Sequence, residues 1–349
     1  MKLPYTNKSN PTSKVMIAGI GGASLGTEIC KCLSLAGRYE IYGCDISPTA
    51  YGLYDKAFIK TYHIRRENYV AEVLKVCQLT GAKWLIPGGE QPNALLGATA
   101  ELFAREGIRV VTNDAAIVGL FSDKATTFNK LSACGIPIPK TAELINADDV
   151  NFVGLPCIVK PATGSGGSAS VFFAVTADEA LIYADFIRRN GSVPIAQEYV
   201  GDDEGEFTIG VLSLPDGRVV GSIALRRVLD AKLSIAYRGR GGLVSSGYSQ
   251  GYIDAFPDLC QQAERIAAVI QSRGPINIQG RVRNGMLMPF EINPRFSAST
   301  YLRALAGFNE IDMLLGYLIS GELPSENSIR PGWYLRSLTE NFVAKEDVK

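Results

Sequence analysis

Short apolar runs alternate with helical stretches over the N-terminal part of the chain. The apolar runs have the length of strands and lie at residues 15–20, 39–45, 84–87 and 108–111. Helical periodicity follows at residues 69–79 and 93–104. This alternation indicates a parallel sheet with helices on both faces. We therefore predict an α/β fold whose first domain, residues 1–117, is a doubly wound, Rossmann-like parallel sheet.

From about residue 118 the pattern becomes that of two mixed α+β lobes. A helix is predicted at residues 123–133, followed by short strands and one further helix. Longer strands come next, interrupted by a predicted loop at residues 232–251 that is rich in Gly, Ser, Arg and Tyr. A hairpin is expected to turn about Asn284 and Gly285. The predicted divisions are residues 118–196 for a small lobe, 197–335 for a large lobe and 336–349 for a tail.

The charges and the cysteines limit the class of function. Lys plus Arg and Asp plus Glu number 35 each, so no net charge attracts nucleic acid or an anionic membrane. The seven cysteines are scattered in mostly apolar sequence, which favours reduced thiols. Residues 1–13 lack an apolar signal core, and no run approaches the roughly 20 apolar residues of a membrane span. We expect a cytoplasmic protein without a nucleic-acid or membrane partner.

A glycine-rich turn follows the first predicted strand. It contains Gly19, Gly21, Gly22 and Gly26, and Asp45 ends the next strand. Such a turn can bring backbone amides to an anion, and Asp45 could face a ribose. The glycine spacing departs from the dinucleotide fingerprint, which favours a substrate-facing or purely structural loop. A dinucleotide-dependent oxidoreductase built on Gly21 and Asp45 is kept as a minor alternative.

A lysine lies near the end of the predicted strand at residues 157–161. Burying Lys160 there is costly without an anion, and the run that follows supplies amide donors for phosphates. That run contains Gly164, Ser165, Gly166, Gly167 and Ser168. Alone, the pattern fits a lysine that snorkels to solvent beside a glycine hairpin. Its place among the other motifs favours a phosphate site.

A further predicted strand, at residues 194–200, leads into an acidic residue. A strand between two lobes can offer main-chain groups to an adenine edge, and a nearby carboxylate can accept from ribose hydroxyls. By itself this segment is only an edge strand with charges. The residues expected to contact a nucleotide here are Gln197, Glu198, Tyr199, Val200 and Glu206.

The strongest single signal is the predicted strand near residue 290. Side chains alternate along a strand, so Glu291 and Asn293 share one face about 7 Å apart. Magnesium prefers such carboxylate and amide oxygens, although an ordinary solvated strand face would look the same. A strict two-residue hairpin turn would set Gln279 opposite Phe290, on the wrong face. We therefore predict a three- or five-residue loop, or a bulge, that pairs Gln279 with Glu291.

The order of these motifs resembles the ATP-grasp superfamily, and within it the carbamoyl-phosphate synthase large subunit and its single-copy relatives. The resemblance covers nearly the whole chain. It rests on Lys160, the glycine run and the sequence Glu291-Ile292-Asn293-Pro294-Arg295. The synthase carries tandem copies, whereas one copy is present here. The resemblance therefore implies a stand-alone carboxylate–amine ligase.

The resemblance also implies roles for three groups of residues. The expected catalytic residues, which would neutralise the charge of the phosphoryl group in transfer, are Lys124, Lys160 and Arg295. Besides the two lysines, the expected ATP contacts are the glycine run as a flexible lid, Glu198 and Val200 at adenine and Glu206 at ribose. The expected ligands of Mg²⁺, for which Mn²⁺ is an alternative, are Gln279, Glu291 and Asn293.

These roles predict an ADP-forming ligase. A substrate carboxylate would attack the γ-phosphorus of MgATP, and an amine would displace phosphate from the resulting acylphosphate. A crevice beside the first domain is expected to bind these small molecules, although loop arginines are commonly solvated. The expected substrate contacts are Gly21, Gly22, Glu90, Arg227, Arg238, Arg240 and Arg303. Homodimers are usual among the relatives, and a regulatory nucleotide-binding protein without turnover is the main alternative.

Overall fold

The computed structural model describes residues 13–22, 24–121, 123–163, 170–230, 234–322 and 328–349. The chain forms two compact units, one of Met1–Val111 with Thr339–Lys349 and the other of Thr112–Leu338. Within the described residues, no helix is long and apolar enough to cross a membrane. The mixed α/β fold class expected from the sequence is confirmed.

The first unit contains a five-stranded parallel sheet in the order β3-β2-β1-β4-β5. Its elements are β1 (Ser13–Ala18), α1 (Leu25–Ala36), β2 (Tyr39–Asp45), β3 (Lys60–His63), α2 (Tyr69–Thr80), β4 (Trp84–Pro87), α3 (Glu90–Ala98), α4 (Ala100–Arg105) and β5 (Arg109–Val110). Met16 and Val73 join one buried cluster between β1 and α2. Ile17, on the opposite face of β1, is also fully buried. The sheet is therefore covered on both faces, as parallel sheets require.

The second unit begins with a small lobe built on a four-stranded antiparallel sheet in the order β6-β9-β7-β8. Its elements are α5 (Ala115–Leu120), α6 (Lys124–Ala133), β6 (Thr141–Glu143), α7 (Ala147–Val153), β7 (Cys157–Pro161), β8 (Phe172–Ala174), α8 (Ala177–Arg189) and β9 (Pro194–Glu198). Asp123 caps α6 by accepting a hydrogen bond from the amide of Ala125 at 2.9 Å. This cap fixes Lys124 in the first turn of the helix.

The larger sheet of this unit has six strands in the order β16-β15-β10-β11-β14-β17. The elements are β10 (Glu206–Ser213), β11 (Val219–Arg227), β12 (Ile235–Gly239), β13 (Gly242–Ser245), β14 (Gly251–Asp254), α9 (Pro257–Val269), β15 (Pro275–Arg283), β16 (Met286–Asn293), α10 (Thr300–Leu305), α11 (Glu310–Ser320) and β17 (Gly332–Tyr334). All of its strand pairs are antiparallel. The strands β12 and β13 form a separate two-stranded sheet.

The two faces of the larger sheet differ in polarity. Ile276 and Ile278 of β15 belong to the apolar cluster that also contains residues of α9. Their neighbours Asn277, Gln279 and Arg281 alternate onto the opposite face. The same alternation on β10 directs Glu206 and Thr208 to that face, because Glu206 pairs with Arg281 and Thr208 with Gln279. A band of polar side chains therefore crosses the sheet opposite its apolar core.

The predicted loop at residues 232–251 is wrong in its described part, because a hairpin occupies much of it. The strands β12 and β13 pair in antiparallel register and turn at Arg240 and Gly241. These two residues have φ values of 48° and 78°, the left-handed conformations of a tight hairpin turn. The high content of Gly and Arg obscured the strand pattern in the sequence.

Candidate active site

The hairpin of β15 and β16 turns through two residues and also carries a bulge. Asn284 and Gly285 have φ values of 52° and 71°, which suit a two-residue turn. Beyond this turn the register shifts, so that Gln279 pairs with Glu291 and one extra residue, Phe290, lies on β16. The bulge predicted from the position of Gln279 is confirmed.

The bulge brings the carboxylate and the amides together on the polar face. The Nε2 atom of Gln279 donates a hydrogen bond to Oε2 of Glu291 at 3.0 Å. The side-chain nitrogen of Asn293 is buried without a hydrogen-bond acceptor, so this amide has unmet bonding capacity. Reversing the amide would present its oxygen instead, since the two ends have the same shape. The three side chains thus fit a hard divalent cation that takes further oxygens from phosphate and water.

Lys160 is buried at the end of β7 and reaches the bulge. Its Nζ donates to Oε1 of Gln197 at 2.8 Å and to the main-chain oxygen of Phe290 at 2.9 Å. Burial lowers the pKa of Lys160 to about 7, and the nearby positive charge of Lys124 adds to this effect. The extra residue of the bulge therefore supplies an acceptor for the lysine as well as the register of Gln279. An anion in front of Lys160 would favour its charged form.

These groups line one cavity of about 730 Å³, a volume that includes the open space at its mouth. The residues expected from the sequence that line this cavity are Lys124, Lys160, Gln197, Glu198, Tyr199, Val200, Glu206, Gln279 and Glu291. The lining residues that were not expected are Pro139, Ile158, Val171, Leu243, Val244, Ser245, Arg281 and Phe290. The cavity combines an apolar wall with a basic and carboxylate-bearing end. The predicted lid residues, Gly164 to Ser168, lie outside the described residues.

Glu206 lines this cavity but is also the centre of a buried ion-pair group. Its Oε1 accepts from Arg227 Nη1 and its Oε2 accepts from Arg281 Nε, both at 2.9 Å. Arg227 also donates to the carbonyl oxygens of Ser246 and Tyr248. Its side chain is only 1% exposed. The expectation that Arg227 binds a substrate carboxylate is therefore corrected, because the buried guanidinium of Arg227 forms an ion pair with Glu206.

Arg281 is the charged side chain among the lining residues that were not expected from the sequence. Besides Glu206, it donates to the carbonyl oxygens of Val200 at 2.6 Å and Leu243 at 2.8 Å. Its guanidinium also lies over the ring of Tyr199 at 4.8 Å. An available signal was its position two residues after Gln279, which puts both side chains on one strand face. Arg281 joins three segments of the cavity wall.

Arg303 belongs to a second buried polar group, away from solvent. It donates to Glu310 at 3.2 Å, to Thr208 at 3.1 Å and to Asn277 at 2.5 Å. The side chains of Arg303 and Glu310 are both fully buried. The expected role of Arg303 in binding substrate is corrected for the same reason as that of Arg227, because solvent does not reach it.

The other expected arginines lie outside the lining of the cavity. Arg238 donates to the carbonyl oxygen of Leu229, and Arg240 forms an ion pair with Glu179 of α8. Both arginines are largely exposed. Arg295 follows β16 and donates to the carbonyl oxygen of Phe296 at 3.0 Å. Their predicted roles in binding and catalysis stay predictions.

The remaining expected substrate contacts belong to the first unit. A Cβ at Gly22 would lie 2.9 Å from Tyr51 Cβ, whereas a Cβ at Gly21 would make only an ordinary contact, 3.9 Å from Asp45 Oδ2. Glu90 is the exposed first residue of α3. Asp45 accepts from the amide of Ile20 at 2.7 Å, so its carboxylate holds the glycine turn. This bond supports the structural interpretation of the turn and weakens the dinucleotide alternative.

Comparison with known proteins assigns the second unit to a family. The family model described as "ATP-grasp domain" matches residues 121–299, about half of the chain. The chain belongs to the ATP-grasp family. The match spans every cavity residue named above, so the family prediction is confirmed. The narrower resemblance to carbamoyl-phosphate synthase stays a prediction.

Individual proteins are also similar to this ATP-grasp chain. It is 30% identical over 229 residues to D-alanine–D-alanine ligase of Corynebacterium glutamicum (strain R), which covers 62% of this chain and 60% of the relative. The chain thus spans less than two thirds of that protein. Biotin carboxylase from Campylobacter jejuni aligns with a TM-score of 0.67 and 15% identity over 90% of this chain and 73% of its own.

A third similar structure is N5-carboxyaminoimidazole synthetase from Staphylococcus aureus, solved in complex with ADP. It aligns with a TM-score of 0.67 and 16% identity over 93% of this chain and 82% of its own. At such low identity, both structural matches show a shared fold.

Proposed function

We propose that this protein is an ATP-dependent, ADP-forming ligase that activates a carboxylate as an acylphosphate and transfers the acyl group to an amine. The observation that carries the proposal is the buried Lys160, which faces a cavity lined by Glu291 and Gln279. A buried cation and a carboxylate–amide pair are the two groups that a nucleotide triphosphate with its cation requires. An apolar ligand would not offset the free-energy cost of burying these charged and polar groups.

In this proposal ATP occupies the cavity with its base against the apolar wall. Ile158, Val171 and Leu243 line that wall. The main chain of Glu198 to Val200 borders it and can recognise the edge of adenine. Phosphates extend toward Lys124 and Lys160, whose positive charges would neutralise them.

Mg²⁺ fits the same end of the cavity as the phosphates, where Gln279, Glu291 and Asn293 would hold it. When bound, the cation would neutralise charge on the phosphate oxygens. The hydrogen bond from Gln279 to Glu291 orients the carboxylate before any cation arrives. The side-chain nitrogen of Asn293 lacks an acceptor, and reversing the amide would put its oxygen in that position, which supports the assignment. Mn²⁺ has the same preference for oxygen ligands and is the alternative cation.

The reaction has two steps. First, a carboxylate oxygen attacks the γ-phosphorus, the bond to the β-phosphate oxygen breaks, and ADP leaves. Then the amine attacks the acyl carbon, phosphate leaves with the carboxylate oxygen, and the amine loses a proton. Lys124, Lys160 and Arg295 contribute positive charge around the transferring group, which is the main way in which proteins assist phosphoryl transfer.

Amino acids are the proposed class of substrate. The curated relative quoted above is named for joining D-alanine to D-alanine, and its substrates carry both a carboxylate and an amine. We place the enzyme in the cytoplasm, because its seven cysteines are free thiols. Homodimerisation is included in the proposal and can be measured by sedimentation equilibrium.

The test is release of ADP and phosphate from MgATP across a panel of amino acids and small carboxylates. We expect one donor and one acceptor to stimulate release together, and Glu291→Ala to abolish it. Glu101→Ala, which changes an exposed residue of α4, is the matched control and should retain the activity. ATP binding without turnover on every member of the panel would instead favour the regulatory alternative.

A further inference from the structure

The β12–β13 hairpin forms a wall of the nucleotide cavity without belonging to either large sheet. Leu243, Val244 and Ser245 of β13 line the cavity and are buried. Among the described strands, β12 and β13 pair only with each other. The position of this wall therefore depends on side-chain contacts rather than on a continuous ladder of main-chain hydrogen bonds.

Two side chains bind the main chain of Leu243 from the same side. The Tyr199 hydroxyl oxygen accepts a hydrogen bond from the Leu243 amide at 2.9 Å. The carbonyl oxygen of Leu243 accepts from Arg281 at 2.8 Å. Arg281 also lies 4.8 Å from the ring centroid of Tyr199. Both polar groups of one wall residue are thus held by the segment that follows β9 and by β15.

The tip of the hairpin is held by the small lobe. A Cβ at Gly242 would lie 2.2 Å from ring atoms of Phe173, so the hairpin and β8 are in close contact. The ring of Phe173 also packs against that of Tyr199, with centroids 4.9 Å apart. Arg240 at the turn forms an ion pair with Glu179. The hairpin therefore rests on Tyr199 and Phe173 together.

We propose that Tyr199 is a positioning residue that latches the β12–β13 hairpin against the cavity and thereby sets the affinity for the nucleotide base. Its ring supports Phe173 and Arg281, and its hydroxyl fixes the Leu243 amide. Loss of the hydroxyl alone would leave the ring contacts in place and free the hairpin at one point. The wall would then close less often around the base, while the groups at the phosphate end would be unchanged.

The test is Tyr199→Phe, with Tyr252→Phe as the matched control. Tyr252 belongs to the same unit but donates its hydroxyl hydrogen bond to Asp254, away from the hairpin. We expect Tyr199→Phe to raise the KM for ATP about twofold to tenfold with an unchanged kcat, the effect of losing one hydrogen bond. Hydrogen exchange at the Leu243 amide in the nucleotide-free protein should accelerate by a similar factor. Tyr252→Phe should change neither quantity.

Several results would overturn the latch. Unchanged exchange at Leu243 would show that the hydroxyl does not hold the hairpin. Faster exchange with an unchanged KM would show that the hairpin does not set nucleotide affinity. A parallel fall in kcat, or a lower Tm, would assign Tyr199 a general structural role. The inference rests on the proposed function, but wild-type protein that binds no ATP would refute that function separately, because the exchange measurement needs no nucleotide.

Discussion

Removing the carboxylate of Glu206 should destabilise the second unit strongly. Glu206 is 1% exposed and pairs with Arg227 and Arg281, whose side chains are 1% and 6% exposed. Glu206→Ala would leave two buried guanidinium charges with only neutral carbonyl acceptors. Breaking a buried ion pair by removing one partner costs about 3–5 kcal/mol. For a unit of this size that corresponds to a fall in Tm of about 6–20 °C.

The assay is thermal unfolding of the nucleotide-free protein, followed by calorimetry. Asp216→Ala is the matched control, because Asp216 pairs with Arg218 at the same distance of 2.9 Å but the two side chains are 45% and 54% exposed. An exposed pair contributes about 0–1 kcal/mol, so the control should shift Tm by only a few degrees. Equal Tm values for the two variants, with ATP binding lost in Glu206→Ala alone, would refute the reasoning and favour the predicted role of Glu206 as a ligand of ribose.

Three further predictions concern the cation, the lysine and the glycine turn. Gln279→Ala should raise the Mg²⁺ concentration needed for ADP release about 10–100-fold by releasing the carboxylate of Glu291, and an unchanged Mg²⁺ titration would contradict this. Burial lowers the pKa of Lys160 in the folded protein to about 7, whereas an ordinary lysine has a pKa of about 10.4. Between these two pH values the unfolded protein binds more protons than the folded protein. The free energy of unfolding contributed by Lys160 should therefore rise from pH 7 to 10. Lys160→Met should flatten this rise in Tm, and identical pH profiles would disprove it. Gly26→Ala should lower the free energy of unfolding in urea by about 1–3 kcal/mol or more, because its Cβ would lie 1.9 Å from a carbonyl oxygen. Gly21→Ala should be tolerated. Equal urea midpoints for the two variants would refute the packing role of Gly26.

Several strands of both units, including the one that carries Lys160, were predictable from local pattern. The apolar runs identified β2, β4 and β7 with their observed bounds, because buried parallel and central strands are marked by continuous apolar sequence. The bulge in β16 was also predictable, since the chemistry required Gln279 and Glu291 to share one face. A requirement placed on one face of a strand pair fixes its register.

The pairing of the arginines was not predictable. Arg227 and Arg303 are buried with carboxylates, whereas Arg238 and Arg240 are exposed. The partner of Arg303 is seven residues away, but that of Arg227 is on another strand. Whether a charged side chain is buried depends on such distant partners, and the spacing of residues along the sequence does not reveal them. The latch between Tyr199 and Leu243 joins distant segments in the same way.

The central claim is that a carboxylate is phosphorylated in the cavity of Lys160 and Glu291. The most direct measurement uses the carboxylate donor identified by the substrate panel, labelled with ¹⁸O in its carboxylate, together with MgATP and the amine. Mass spectrometry of the products should find one ¹⁸O atom in the released phosphate, because the oxygen that attacks the γ-phosphorus leaves with it. Label in AMP, or product formation with unlabelled phosphate, would contradict the claim.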